Sequence, residues 1–458
     1  MTYDTIIIGA GLSGLAAGIR LAYYEKRVCL LERHYAIGGL NSYYRLRGRN
    51  YDVGLHAVTN CAPPGRPGPL NKILRQLRFS REDFDLAPQT GSAVAFPGVT
   101  LRFGNDFEQL RQEVREQFPA QADGFERLLK RIDAHDDTTL DPPPLSTRAV
   151  LGECLTDPLL VDMLLCPLMF YGSPTPHDID FTQFVILFKS IYYEGFGRPR
   201  EGVRRILKVL TRRYKSLGGE LRLRSGVESV RTRDGRAVGV TLENGEEIDA
   251  RSVLSSAGVA ETMRLCGGPV SRDERFRPGE ISFVEAIFTL DRTPAELGFD
   301  RTILFYSRSP RFRYARPAEP VDVESGIICS PNNYRYREPL DEGKLRLTAL
   351  ANPAHWMNLP EEEYLAAKEH WCRRIVASAL DHLPDFRPHV VDTDMFTPRT
   401  IRQFTGHVNG CVYGAPRKFL DGRTPVEGLY LCGTDQGYLG IIGAMISGIS
   451  VANMHLLR

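Results

Sequence analysis

The sequence predicts an α/β protein, a Rossmann-type dinucleotide-binding domain joined to a second domain of antiparallel sheet plus helices. Three observations lead there. An apolar, β-branched run at residues 5–8 enters the turn Gly9-Ala10-Gly11 and then a small-residue helix containing Gly14, the strand, glycine-rich turn and helix of a dinucleotide fingerprint. A second apolar run, 28–31, ends on Glu32, about 20 residues after the fingerprint, where a carboxylate can accept hydrogen bonds from ribose hydroxyls. Residues 281–290, 303–306, 326–329 and 345–350 are strand-like and alternate, which implies a separate, mostly antiparallel sheet.

Each glycine of the fingerprint has its own physical task. Gly9 permits the tight turn, Gly11 lets a pyrophosphate approach the backbone, and Gly14 lets the helix pack closely on the strand. The helix start then offers free N–H groups and a positive dipole end to the phosphates.

Composition narrows the class. A chain of 458 residues exceeds what one hydrophobic core supports, so two domains are expected. A net charge of +2 implies no nucleic-acid partner, and 42% hydrophobic with 25% charged residues is an ordinary globular balance. The fingerprint begins almost at Met1, leaving no room for a signal peptide, and no run reaches membrane-span length, so a cytoplasmic location is expected. The nine cysteines include no Cys-x-x-Cys pair and sit in apolar strings such as Val28-Cys29-Leu30 and Leu165-Cys166-Pro167. They read as buried thiols in a reducing compartment, and the ten histidines show no ligand spacing, so no metal site is expected.

The remaining elements follow in order. After the first βαβ unit, 3–32, comes the turn Gly38-Gly39 and a hairpin-like segment over 41–44 and 49–56, which ends on His56. A Pro/Gly-rich loop, 61–69, precedes a helix at 70–77; a hairpin turns at Pro97-Gly98; amphipathic helices fit 107–118 and 125–134; residues 141–144 break the pattern. The apolar strings 159–171 and 181–193 read as a helical core, or as a tunnel or monotopic membrane contact for a long apolar ligand. Residues 202–217 form a basic amphipathic helix, a solvated face or a contact for anionic lipid. Strands at 220–223 and 227–231, a meander through 237–242 and 247–250, and a return strand at 252–258 follow. Beyond the second sheet, 361–383 is a long amphipathic helix. The chain closes with a buried strand ending in Gly433-Thr434-Asp435, a glycine-rich turn at 437–443 and a small-residue helix at about 442–455.

Together the fingerprint, Gly38-Gly39, Tyr51-Asp52-Val53-Gly54-Leu55-His56 and Gly433-Thr434-Asp435 with Gly440-Ile441-Ile442-Gly443-Ala444 resemble the flavoproteins of the phytoene desaturase superfamily, which also holds carotenoid isomerases and retinol saturases. Tyr192-Tyr193-Glu194-Gly195-Phe196-Gly197 and Thr397-Pro398-Arg399-Thr400 with Gly410-Cys411-Val412-Tyr413-Gly414 are similar to further stretches of it. The resemblance implies a glutathione-reductase-like FAD domain built from 1–75, 197–275 and 395–458, with 76–196 and 276–394 forming the substrate domain. It implies that Gly9, Gly11 and Gly14 hold the pyrophosphate of FAD, Glu32 its ribose, and Val227 its adenine. Arg33, Gly38, Gly39, Leu40, Asn41 and Gly433 would border the cofactor, and Asp435 would meet the pyrophosphate or ribityl chain. The closing helix would aim its N-terminus, near Gly443 and Ala444, at the flavin N1/C2=O edge, where a positive dipole end stabilises reduced flavin.

Many desaturases and amine oxidases carry Gly-Gly-Arg where this chain has Gly38-Gly39-Leu40-Asn41, which shifts weight toward the saturase and isomerase branch. The implied activity is FAD-dependent oxidoreduction of a long isoprenoid or carotenoid polyene, by desaturation, saturation or flavin-dependent isomerisation. His56 and Tyr438 are the candidates to position substrate or pass a proton. Two alternatives stay open: an amine oxidase with an aromatic cage from Tyr413 and Tyr438, and a non-catalytic flavin-containing binder of apolar ligands.

Overall fold

Two seven-stranded sheets organise the residues that the computed structural model describes, 2–137, 139, 143–267 and 273–457. Of the expected break at 141–144, Asp141 and Pro142 lie outside these residues.

The first sheet is built around the opening strand. Tyr3–Ile8 lies parallel between Val28–Leu31 and Glu247–Ser255; Glu220–Arg222 continues the sheet on one side and Leu429–Leu431 on the other. Residues 5–8 and 28–31 are buried throughout, as strands covered on both faces must be, and their short β-branched runs follow from that. The two strands expected at 247–250 and 252–258 are one. The first part of Glu247–Ser255 pairs antiparallel with Arg236–Leu242 and the rest parallel with the opening strand, so a single strand carries both the meander and the return.

The second sheet runs Val390–Phe396, Ser282–Leu290, Gly343–Ala351, Ser325–Cys329, Ile303–Ser307, Ser92–Phe96, Val99–Phe103. Its neighbours are antiparallel except the pair Ile303–Ser307 and Ser92–Phe96. It is covered on both sides. Alternate residues of Ser282–Leu290 face different layers: Phe283 packs with the apolar helices of the middle of the chain, and Val284, Ala286 and Phe288 pack toward the long helix Glu361–Ala379.

Those apolar helices are Pro158–Gly172 and Phe181–Phe188, the latter running into a π-helical turn, Lys189–Tyr193. Every residue from 160 to 170 is buried. Both helices are therefore packed into the interior rather than laid out as an exposed apolar face, and the end of the first, at Phe170 and Tyr171, lines a cavity. Helices Thr147–Cys154 and Pro398–Thr405 and the edge strand Val390–Phe396 were not anticipated. They are short, and their apolar positions are set by long-range neighbours, not by a local period.

The two ends of the chain meet. The helix Leu12–Ala22 crosses the closing helix Gly440–Val451 at Gly448, where an added Cβ would lie 2.0 Å from the Ser13 carbonyl oxygen and 3.1 Å from the Ala17 nitrogen. Only a residue without a side chain fits. Ser447 accepts the Gly433 N–H at 2.6 Å and ties the helix to the end of its own strand. Gly448→Val should lower stability in denaturant titration by about 1–3 kcal/mol; an unchanged midpoint would contradict this packing.

Candidate functional site

The crossing brings both helix starts to one elongated cavity of about 340 Å³, within the size range of cofactor sites. At one end the opening strand turns at Gly9, which has φ +95° and donates its N–H to the Leu31 carbonyl at 2.8 Å. Gly14 lies behind the turn, where an added Cβ would stand 2.2 Å from the Gly9 carbonyl oxygen; it packs the helix on the strand and does not line the cavity. Gly38, at φ +111°, donates its N–H to the Ala10 carbonyl at 2.9 Å, so the two glycine turns pair directly through their backbones. Gly9, Gly11, Gly38, Gly39, Leu40 and Asn41 all border the cavity. The helix Leu12–Ala22 has no side-chain cap, so its first N–H groups are open to a ligand there.

Glu32 also borders the cavity, with each carboxylate oxygen accepting one backbone N–H: Oε2 from Ala10 and Oε1 from His34, both at 2.9 Å. Each oxygen keeps a lone pair for a ligand hydroxyl. Val227 stands beside it, and Arg33 reaches the Gln403 carbonyl at 2.9 Å. Beyond Arg33 the wall comes from Ile401, Phe404 and His407, together with Glu261. None of these four was anticipated, since they lie far from the fingerprint in sequence and carry no pattern of their own.

At the other end the wall is apolar, from Phe170, Tyr171, Phe283, Ile327, Val412 and Tyr413. Into it the second sheet places a polar group. Glu285 and Thr348 are register partners on adjacent strands, and His56 Nε2 lies 3.0 Å from Glu285 Oε1 and 3.0 Å from Thr348 Oγ1. Arg346 closes the network: its Nη2 donates to Glu285 Oε2 at 2.9 Å, its Nε to Oε1, and its Nη1 to the Leu55 carbonyl at 3.0 Å. The Glu285 and Arg346 side chains are 3% and 2% exposed, so the pair is fully enclosed.

Burial works to raise the Glu285 carboxyl, but Arg346 and then His56 outweigh it and hold it down to about 2. Burial lowers the His56 pKa and prevails over the pull of Glu285, which Arg346 already neutralises. His56 is thus a neutral ring near pH 7. The tautomer that fits the network carries its proton on Nε2 and donates it to Glu285, and among the described residues Nδ1 has no hydrogen-bond partner.

The closing strand and helix behave differently from one position to the next. Gly433, Gly440, Ile441 and Ala444 line the cavity, and the closing helix has no side-chain cap. Gly443 faces back onto the Tyr438 backbone, 3.0 Å from where its Cβ would be. Two expectations need correction. Asp435 does not reach the cavity: it is 2% exposed, and its carboxylate accepts the Val259 and Ala415 N–H groups at 2.5 and 2.6 Å. It is a brace between three backbone segments. Tyr438 stands outside the wall, half-buried and near Asp137, which together with burial raises its pKa. The aromatic cage expected from Tyr413 and Tyr438 is therefore not formed.

Comparison with known proteins gives a family. The description "flavin containing amine oxidoreductase" matches residues 12–454. The chain is similar to the chloroplastic prolycopene isomerase of Arabidopsis thaliana, 23% identical over 98% of this chain and 82% of the relative. It is similar to the all-trans-retinol 13,14-reductase of Danio rerio, 22% identical over 99% of this chain and 86% of the relative. An oxidoreductase structure from Methanosarcina mazei covers 98% of this chain and 99% of its own with a TM-score of 0.68 at 18% identity, a likeness of fold.

The titration of His56 has a stability consequence. Below its unfolded value of 6.5 the unfolded chain binds a proton that native His56 refuses, so stability falls as pH drops through that value. The Glu285 contribution is present above 4.5 and is lost only toward about 2. His56→Gln should therefore lose less stability than the parent between about pH 7 and about pH 5, measured by denaturant unfolding at each pH. Equal losses in the two proteins would contradict a neutral buried His56.

Proposed function

The chain belongs to the flavin-containing amine oxidoreductase family, and from that premise we propose that it is an FAD-dependent oxidoreductase acting on a long apolar isoprenoid polyene. The observation that carries the substrate reading is the far end of the cavity, where apolar walls surround a polar network of balanced charge. Glu285 is matched by Arg346 and His56 is neutral, so no free anion waits for a protonated amine. The relatives named for prolycopene and retinol support the same reading.

The residues present fit FAD. Two uncapped helix starts open on one cavity, one beside the paired glycine turns and one at the apolar end, with a carboxylate keeping spare lone pairs near Val227. Gly9, Gly11 and Gly38 would present backbone to the pyrophosphate, Glu32 would hold the ribose, and Val227 and Arg33 would border the adenine end. The start of Gly440–Val451 would face the flavin with its positive dipole end, and Ala444, small and on the wall, would let the ring approach. When bound, the flavin supplies a hydride acceptor or donor for carbon–hydrogen chemistry that no side chain can perform.

The chain's own residues do the rest. The apolar wall excludes water and aligns the polyene. Glu285 fixes the His56 tautomer, leaving the Nδ1 lone pair for the substrate side, where it positions the chain or takes a proton. A water-insoluble substrate arrives from a lipid phase, so peripheral membrane contact belongs to this reading. Its surface is not the pair of apolar helices, which are core.

Two measurements test the proposal. With the FAD-reconstituted protein under anaerobic conditions, defined carotenoid precursors should perturb or bleach the flavin absorption, and product mass should separate redox change from isomerisation. Peroxide-releasing turnover of simple amines with no response to polyenes would overturn it. Glu32→Ala should weaken FAD binding roughly tenfold or more in a flavin fluorescence titration, through loss of charge-assisted hydrogen bonds; unchanged affinity would remove Glu32 from the cofactor site.

A further inference from the structure

We propose that His407 binds the cofactor as an imidazolium, with one ring nitrogen turned to Glu261 and the other to the phosphates of FAD, so that FAD binding takes up a proton and tightens in acid. This rests on the FAD reading above and adds to it a binding residue and a dependence on pH.

The cavity is short of positive charge. Among the described residues its wall carries three carboxylates, Glu32, Glu261 and Glu285, while Arg33 is its only arginine or lysine. Arg346 matches Glu285. Arg33 is left against Glu32 and Glu261 before the phosphates add negative charge of their own. With His56 neutral, His407 is the remaining group of the wall that can carry a positive charge.

His407 and Glu261 lie close to the glycine turn that would hold the phosphates. Ser256 Oγ donates to the Ile8 and Gly9 carbonyls at 2.9 and 3.1 Å. Two residues on, a Cβ added at Gly258 would stand 2.4 Å from Glu261 Oε2 and 3.2 Å from His407 Cε1. The short segment 256–258 thus runs from the Gly9 turn to the pair. His407 Nδ1 is enclosed and lies 3.7 Å from Glu261 Oε1. Nε2 is not enclosed and has no hydrogen-bond partner among the described residues, so it is the nitrogen that a ligand in the cavity can reach.

The two nitrogens face different demands. Glu261 is matched by a proton on Nδ1. A phosphate oxygen accepts and cannot donate, so it is matched by a proton on Nε2. A neutral ring has one proton and turns a lone pair to one of the two anions; an imidazolium satisfies both. At His56 the balance is the reverse, because Arg346 already neutralises Glu285. Glu261 has no cation other than His407 within ion-pair distance among the described residues. Burial works to lower the His407 pKa, but Glu261 outweighs it. Asp435 adds to that pull and Arg33 opposes it, and the result lies above the ordinary 6.5. Asp435 has its own cation, Lys418, whose Nζ is 3.8 Å away. Burial works to raise Glu261, and His407 with the Val408 N–H holds it below the usual carboxylate range. His56 and His34, the histidines nearest the site, are both lowered by burial and titrate below His407.

The test is a flavin fluorescence titration of the FAD-stripped full chain across a pH range. The parent should bind FAD at least about tenfold more tightly at about pH 6 than at about pH 9, since a proton held in the complex makes affinity fall as pH rises through the His407 value. His407→Gln, with its fold checked by circular dichroism and melting, should bind about tenfold more weakly than the parent at about pH 6 and lose the pH dependence. His407→Lys, charged throughout, should hold its affinity up to about pH 9. A parent affinity that does not change with pH, or a slope that survives in His407→Gln, would overturn the inference and leave the FAD reading standing. Should His407→Gln not fold, a His407→Lys protein that still loses FAD as pH rises would overturn it equally. No FAD binding by the parent at any pH would overturn both.

Discussion

The crossing of the first and last helices at Gly448 is the contact on which the rest of the molecule depends. The approach is so close that a single β carbon would overlap the Ser13 carbonyl. It requires small residues on both helices, and it aligns two helix starts that lie more than 400 residues apart in sequence on one cavity. Each start contributes unpaired N–H groups and a positive dipole end. A dinucleotide whose phosphates and ring system both take up negative charge is the ligand that such a pair of ends complements. The strand order serves the same end, because Glu247–Ser255 holds the opening and closing strands on its two sides.

At the far end the governing constraint is electrostatic. A carboxylate and a guanidinium buried together carry a desolvation cost that only mutual pairing and full hydrogen bonding offset. Here both conditions are met, since Arg346 also reaches the Leu55 carbonyl and Glu285 also receives His56. The charges cancel, the wall stays compatible with an uncharged ligand, and the imidazole is fixed in one tautomer with one nitrogen open. The network therefore presents no unpaired carboxylate to a cation.

Much of the candidate site was legible in the sequence because it is local. Gly9, Gly11, Gly38, Gly39 and Glu32 lie in turns and strand ends where residue type answers directly to backbone geometry, and the structure brings them to one cavity. The apolar middle was legible as two readings, and the structure combines them: residues 160–170 are buried as core, while Phe170 and Tyr171 at the end of the same helix line the cavity. What was not legible depends on register and on distant segments. Glu285 meets Arg346 and Thr348 only once the strands are paired, and Gln403 and Gly406 reach Arg33 across most of the chain. Asp435 misled because an acid at a strand end next to a glycine turn has two physical uses, ligand binding and backbone bracing, and sequence alone does not separate them. Tyr438 misled in the same way, since adjacency to a turn does not tell which side of it a ring takes.

The account stands on one extended cofactor lying between the two helix starts with its ring system at the His56 end. A crystal structure of the FAD-bound protein measures this directly. The account predicts phosphate density over the Gly9 and Gly38 turns and the ring system between the start of Gly440–Val451 and the apolar wall, within reach of His56. A ring system lodged instead beside Arg33 and Phe404, or phosphates away from the glycine turns, would contradict it.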